Sequence, residues 1–178
     1  MISRRRDRWR RMTVAPLRGE FRILEPVLIE LERWLPTYRG AGGQHEGIAF
    51  LAGFERLGAS VFTTAIFPEA DHRSGYVRCD ELQFAAASAA ARSHGLGLLA
   101  QVHSHPHGWT EHSPGDDEMV QPAYEGMLSI VVPNYAMTGL QPLDSLGIHQ
   151  LQEGKWVLAE RQSIKDHFSV LPAGLDLR

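Results

Sequence analysis

Apolar residues along the chain come in short blocks set between turn-forming residues, and the spacing within each block predicts its element. Phe21 to Leu24 reads as a short strand. Pro26 then opens a helix to about Tyr38, because Val27, Leu28, Leu31, Trp34 and Leu35 recur at helical spacing on one face. The glycine-rich run Gly40-Ala41-Gly42-Gly43 ends it in a turn. Glu46 to Gly53 predicts the first core strand. Ser60 to Phe67, β-branched and aromatic, predicts its hairpin neighbour across a short loop at Glu55 to Gly58. Pro68 to Tyr76 is polar and reads as an exposed loop. Asp80, with Gln83 three residues on, caps a helix that runs through an alanine-rich stretch to Gly95. Leu96 to Val102 is a buried strand leading straight into a histidine cluster. Ser113 caps another helix, and Met127 to Val132 is a further buried strand closed by Pro133. Leu146 to Gln152 and Lys155 to Glu160 form a final hairpin around Glu153-Gly154. Ile164 to Leu171 fits a short strand and a short helix equally. Helices alternating with strands define an α/β layered domain, and the hairpins make its sheet mixed.

Composition narrows the class. The 178 residues, 43% of them hydrophobic, suit one compact domain. Residues 1–12 carry six arginines and one aspartate, which leaves −8 on the remainder of a chain whose net charge is −3. An acidic body argues against nucleic acid as a substrate. Met1 to Arg18, arginine-rich and without apolar periodicity, is expected to be a disordered basic arm, with the folded domain spanning residues 19–178. The single cysteine, Cys79, rules out an internal disulfide and a cysteine-based zinc cluster; a packing thiol is its ordinary role. With no transmembrane-length apolar stretch and no secretory h-region, the expectation is a cytoplasmic protein without a membrane partner.

The chemistry concentrates in His103-Ser104-His105-Pro106-His107-Gly108-Trp109-Thr110-Glu111-His112-Ser113-Pro114-Gly115-Asp116, where four of the nine histidines fall within ten residues. Alternate residues of an extended chain share a face, so His103 and His105 can reach one ion from a strand end. Asp116 is the nearest candidate for a third ligand. Two imidazoles and a carboxylate suit zinc with a fourth position left for water, the pattern of a catalytic site. Ser113-Pro114-Gly115-Asp116 is equally a good helix start, with Ser113 as N-cap and Asp116 completing a capping box. The two readings are compatible, since a helix start holds a carboxylate rigidly and ionised.

His-x-His, then seven residues, then Ser-x-x-Asp, with Pro106 directly after the second histidine, resembles the metal motif of the JAB/JAMM (MPN-positive) zinc metalloproteases, in particular their prokaryotic stand-alone branch. That pattern also asks for an upstream glutamate before a core strand, and Glu46 stands there in Glu46-Gly47-Ile48-Ala49-Phe50-Leu51-Ala52-Gly53. The resemblance covers roughly residues 27–158. It implies a cytidine-deaminase-like fold, a mixed sheet with helices on both sides. It implies one zinc ion per chain on His103, His105 and Asp116, Glu46 as general base and Ser113 as donor to the oxyanion.

The implied activity is hydrolysis of the amide or isopeptide bond after the C-terminal tail of a ubiquitin-like protein. The implied partners are that protein and its conjugates, with E1- and E2-like proteins of a bacterial conjugation or antiphage defence system. In this family the segment corresponding to Pro68–Tyr76 contacts the substrate. Trp109 and Tyr76 are the candidate substrate contacts, although packing is the default role of both. His107 and His112 lie outside the motif and read as solvated or supporting side chains; Glu111 and Asp117 read as surface charges. Two alternatives remain: processing of a sulfur-carrier protein or of short peptides by the same chemistry, and a non-catalytic MPN-type scaffold. The single cysteine excludes a nucleobase deaminase, and the absence of His-Glu-x-x-His excludes a helical zinc protease.

Overall fold

The computed structural model describes residues 12–40, 45–73, 76–119 and 123–172. In chain order its elements are β1 (Val14–Ala15), β2 (Glu20–Leu24), α1 (Glu25–Trp34), β3 (Ile48–Arg56), β4 (Ala59–Ile66), β5 (Asp71–Arg73), β6 (Tyr76–Arg78), α2 (Glu81–Ser93), β7 (Gly97–Ser104), α3 (Pro114–Met119), β8 (Leu128–Val132), β9 (Gly147–Gln152), β10 (Lys155–Ala159), α4 (Arg161–His167) and β11 (Phe168–Leu171). Nine strands form one mixed sheet in the order β1-β10-β9-β8-β7-β3-β4-β2-β11, while β5 and β6 pair separately. Strand β7 is therefore central, antiparallel to β3 and parallel to β8.

Side-chain alternation along β3 sorts the two layers. Ala49 and Leu51 join the main core with Leu28, Leu31 and Leu35 from α1 and its 3-10 extension, and with Ile164 of α4. Ile48 and Phe50 face the other way, onto Ala87 and Phe84 of α2. Helices thus cover both faces, as the α/β reading expects. The α2 start is the one read from sequence: the Gln83 amide donates to Asp80 Oδ1 and the Asp80 amide to Gln83 Oε1, both at 2.8 Å.

Several expectations need correction. The basic arm ends earlier than residue 18. Val14–Ala15 adds a parallel edge strand to β10, Leu17 is buried, and the Arg18 amide donates to Gln150 Oε1 at 2.8 Å. Residues 1–11 lie outside the described residues. The polar stretch after Pro68 is a small antiparallel hairpin, β5–β6, since Asp71 to Arg73 pair with Tyr76 to Arg78. Residues 164–171, open between helix and strand, contain both: α4 ends at His167 and β11 begins at Phe168. Part of the Gly40–Gly43 turn lies outside the described residues. No helix among the described residues is long and apolar enough to cross a membrane.

Candidate metal centre

Strand β7 delivers His103 to the middle of the sheet, fully buried, in register with Ile48 of β3. His105 follows one residue past the strand end. Its amide donates to Val132 O at 2.8 Å, which keeps the chain extended beyond the sheet ladder. The loop from Pro106 to His112 then returns the chain to α3, whose first turn carries Asp116. Ser113 and Asp116 form the expected reciprocal cap: the Ser113 amide donates to Asp116 Oδ2 at 2.6 Å, and the Asp116 amide to Ser113 Oγ at 3.2 Å.

These elements bring three ligand atoms together. His103 Nε2 lies 3.2 Å from His105 Nε2, and Asp116 Oδ2 lies 3.7 Å from the first and 3.5 Å from the second. A tetrahedral ion with bonds of about 2.0–2.2 Å separates its ligands by roughly 3.3–3.6 Å, so the edges of the triangle are close to those of such a site. The tautomer agrees. His105 Nδ1 meets the carbonyl of Trp109 at 2.9 Å. A carbonyl only accepts, so Nδ1 carries the hydrogen and Nε2 keeps its lone pair for an ion. His103 is desolvated and its pKa is held below the ordinary value, which keeps it neutral. Burial raises the pKa of Asp116, but the imidazoles of His103 and His105 beside it outweigh that effect and hold the carboxyl well below the usual range. Burial also acts to lower the pKa of His105, and Asp116 then Glu46 reverse that effect and raise it. A cation is what this acidic, buried corner favours.

Glu46, two residues before β3, lies in the same cleft of about 160 Å³ with His105, Pro106, His107, Trp109, Ser113 and Asp116. It is buried, and its Oε2 has no hydrogen-bond partner among the described residues. Burial pushes its carboxyl up to about 7; Asp116 adds to this and His105 opposes it. Glu46 and Ser113 thus line one cleft with His105 and Asp116. Trp109 is partly exposed on the cleft wall, with its indole N–H donating to Glu111 O at 2.9 Å. The backbone of Tyr76 opens β6; its side chain lies outside the described residues.

Two readings of neighbouring residues sharpen. Of the two roles open to His112, the supporting one fits, since the ring is buried. Its Nδ1 meets Asp117 Oδ1 at 2.8 Å and its Nε2 meets Ser129 Oγ at 2.9 Å, so the surface charge of Asp117 is also its partner. Its ring stacks on His149 at 3.8 Å. Sequence reasoning missed His149 altogether: it stands alone in β9, and nothing local distinguishes it from a strand histidine facing water. Cys79 packs against the smaller core, and burial with the adjacent Asp80 pushes its thiol up to about 11. That suits packing and not nucleophilic chemistry.

A mixed α/β domain that buries two histidines from the end of its central strand and an aspartate from α3 within reach of one ion has a candidate metal centre. The chain belongs to the prokaryotic JAB family: the family model described as prokaryotic homologs of the JAB domain matches residues 38–143, more than half of the chain and every motif residue. It is 36% identical over 105 residues to a Sinorhizobium fredii protein named "Probable metalloprotease y4jG", a match covering 55% of this chain and 63% of that protein's length. The chain thus spans under two thirds of the curated relative it matches. Among solved structures, a Desulfitobacterium hafniense protein superposes with a TM-score of 0.60 at 13% identity, covering 87% of this chain and 94% of its own. A Salinibacter ruber protein does so with a TM-score of 0.53 at 19% identity, covering 78% and 88%. These two likenesses speak for the fold.

Proposed function

We propose that the protein is a zinc-dependent JAMM-type isopeptidase acting on the amide bond after the C-terminal tail of a ubiquitin-like protein. The observation that carries this reading is the triangle of His103 Nε2, His105 Nε2 and Asp116 Oδ2, with Glu46, whose Oε2 has no partner among the described residues, in one cleft with His105 and Asp116. Two imidazoles and one carboxylate favour zinc among the common divalent ions. When bound, zinc supplies Lewis acidity and lowers the pKa of water to about 7. The chain's own groups do the rest. Glu46 takes a proton from the attacking water and returns it to the leaving amine, a contribution of about 10²–10⁴-fold. Ser113 Oγ accepts from the Asp116 amide, so its hydroxyl hydrogen remains free to turn into the cleft toward the oxyanion. A donor in that role is worth about 3–4 kcal/mol in the transition state.

Topology bears on the substrate class. An extended tail binds by adding a strand to an exposed edge. The edges of the large sheet are β1 and β11, each four strands away from β7. The β5–β6 hairpin offers a nearer edge, since His72 of β5 touches the backbone of Glu46. A cleft of about 160 Å³ walled by Trp109 would take a slender Gly-Gly tail. The ubiquitin-like protein would come from a bacterial conjugation or defence system.

The test is cleavage of ubiquitin-like fusions ending in Gly-Gly against fusions with other tails. Metal content is measured alongside for the wild type and Glu46→Gln. The expected result is one zinc per chain in both proteins, with Gly-Gly-dependent cleavage only in the wild type. Near-normal turnover by Glu46→Gln would remove Glu46 from the mechanism. Cleavage indifferent to the tail would favour the short-peptide alternative, and metal-loaded protein without hydrolysis the scaffold.

A further inference from the structure

We propose that His72, on the β5–β6 hairpin, is a positioning residue for Glu46. The inference rests on the general-base reading above and adds a part of the molecule that the metal motif does not contain. His72 Nδ1 lies 2.7 Å from the carbonyl oxygen of Glu46. The carbonyl only accepts, so Nδ1 carries the hydrogen. The same peptide unit ends in the amide of Gly47, which donates to Ser104 Oγ at 2.9 Å; the Ser104 amide in turn donates to Gly47 O at 2.9 Å. The peptide plane that follows the Glu46 Cα is thus fixed at both ends. One anchor is the hairpin. The other is β7, the strand that carries His103.

Fixing that plane fixes the direction in which the Glu46 side chain leaves the backbone. Glu46 lies before β3 and outside its ladder, so regular strand pairing does not set this direction. A third group closes the arrangement. The Tyr38 ring stacks on His72 with centroids 4.3 Å apart. It also occupies the space beside Gly47, where a Cβ would lie 2.6 Å from Tyr38 Cδ2. Gly47 is the residue that lets the ring, the imidazole and the Glu46 carbonyl close on one another. A misplacement of about 1 Å at a catalytic group is enough to cost roughly a hundred-fold in rate. The hairpin therefore helps to set the base, and a substrate that docks on the hairpin touches the element that holds it.

A crossed pair of variants separates the hydrogen bond from the packing. His72→Phe keeps a ring against Tyr38 and loses the donor. His72→Asn loses the ring and places an amide N–H near the position of Nδ1. With zinc-loaded protein and a peptide coumarin amide ending in Gly-Gly as probe, His72→Phe is expected to lose about ten- to a hundred-fold in kcat. Its KM and zinc content stay at the wild-type level, and His72→Asn recovers most of the rate. In a Glu46→Gln background His72→Phe should have no further effect. Nitrogen-15 NMR should find the His72 ring protonated at Nδ1. Hydrogen exchange at the Gly47 amide should quicken in His72→Phe and not in His72→Asn.

Normal kcat in His72→Phe, equal loss in both variants, or a ring protonated at Nε2 would overturn the proposal. Wild type and Glu46→Gln handling the probe alike would instead remove the base reading. The NMR and exchange results then decide separately whether His72 holds the carbonyl.

Discussion

Gly147→Ala should disrupt the metal centre without touching a ligand. Gly147 opens β9 opposite Val131, and the loop between His105 and Ser113 rests directly on it. A Cβ there would lie 1.8 Å from the carbonyl oxygen of Thr110 and 2.8 Å from its carbonyl carbon. Both neighbours are backbone, so no side-chain rotation relieves the overlap. Real Cβ contacts stay beyond 3.0 Å, so the Thr110 carbonyl must retreat by about 1.2 Å or β9 must yield. The Trp109 carbonyl, one peptide away, is the acceptor that fixes the His105 ring at 2.9 Å. A retreat of similar size would break that bond. Losing the group that orients a ligating histidine typically weakens metal binding about 10–100-fold. Overpacking of this kind costs about 1–3 kcal/mol, or roughly 2–12 °C in Tm for a chain of this size. The assay is competition for zinc against a chromophoric chelator, with circular dichroism to verify the fold. Gly97→Ala is the control, because its Cβ would meet nothing closer than Leu99 Cδ2 at 3.8 Å. Wild-type zinc affinity in Gly147→Ala would refute the argument that this close approach holds the loop.

Metal saturation at a hundred times Kd should stabilise the protein by about 2.7 kcal/mol, which corresponds to a Tm rise of roughly 5–11 °C. Asp116→Asn should abolish the rise, as read by thermal melts with and without chelator. In the metal-free protein the Glu46 pKa stands at about 7, above its unfolded value, so the fold favours the neutral carboxyl. That contribution is fully present below the unfolded pKa and is lost as pH rises through 7. It amounts to something on the order of 3 kcal/mol, and denaturant melts across pH should show the slope flattened in Glu46→Gln. Asp80→Ala should cost about 1 kcal/mol by removing the α2 cap, with zinc affinity unchanged; a shift in affinity would mean that α2 reaches the site.

What could be read beforehand was local. The α2 cap needs only Asp80 and Gln83, and the ligand set needs only the strand ending at Ser104 and the turn at Ser113. The rest depends on partners far away in the chain. Strand β1 is two residues long and exists because Leu158 and Glu160 donate to Thr13 and Ala15 across the whole domain. No periodicity can show in two residues. Residues 161–171 divide into a seven-residue helix and a four-residue strand, too short for either period to assert itself. The Pro68–Tyr76 stretch reads as a loop because β5 is three polar residues and its partner β6, also three residues, lies mostly beyond Tyr76.

The least legible feature bears most on the site. One face of β7, β8 and β9 is apolar and joins the main core through Val102, Ile130 and Ile148. The opposite face carries Gln101, His103, Ser129 and His149, all buried. In sequence these strands look like ordinary apolar runs with an occasional polar residue. Folded, these polar residues form one buried layer that includes His103. His149 is driven down to about 2 by burial, with His112 and His103 adding to it, so it stays neutral; neither ring nitrogen has a hydrogen-bond partner of normal geometry among the described residues. Such a group is costly to bury. Its ring, however, supplies the platform on which His112 stacks, and His112 ties Ser129 of β8 to Asp117 of α3. Asp116 is thereby held from both sides, by the Ser113 cap before it and by the Asp117–His112 pair after it. A helix of six residues has little stability of its own. The buried polar layer does for α3 what its length cannot, and keeps Asp116 beside the two histidines.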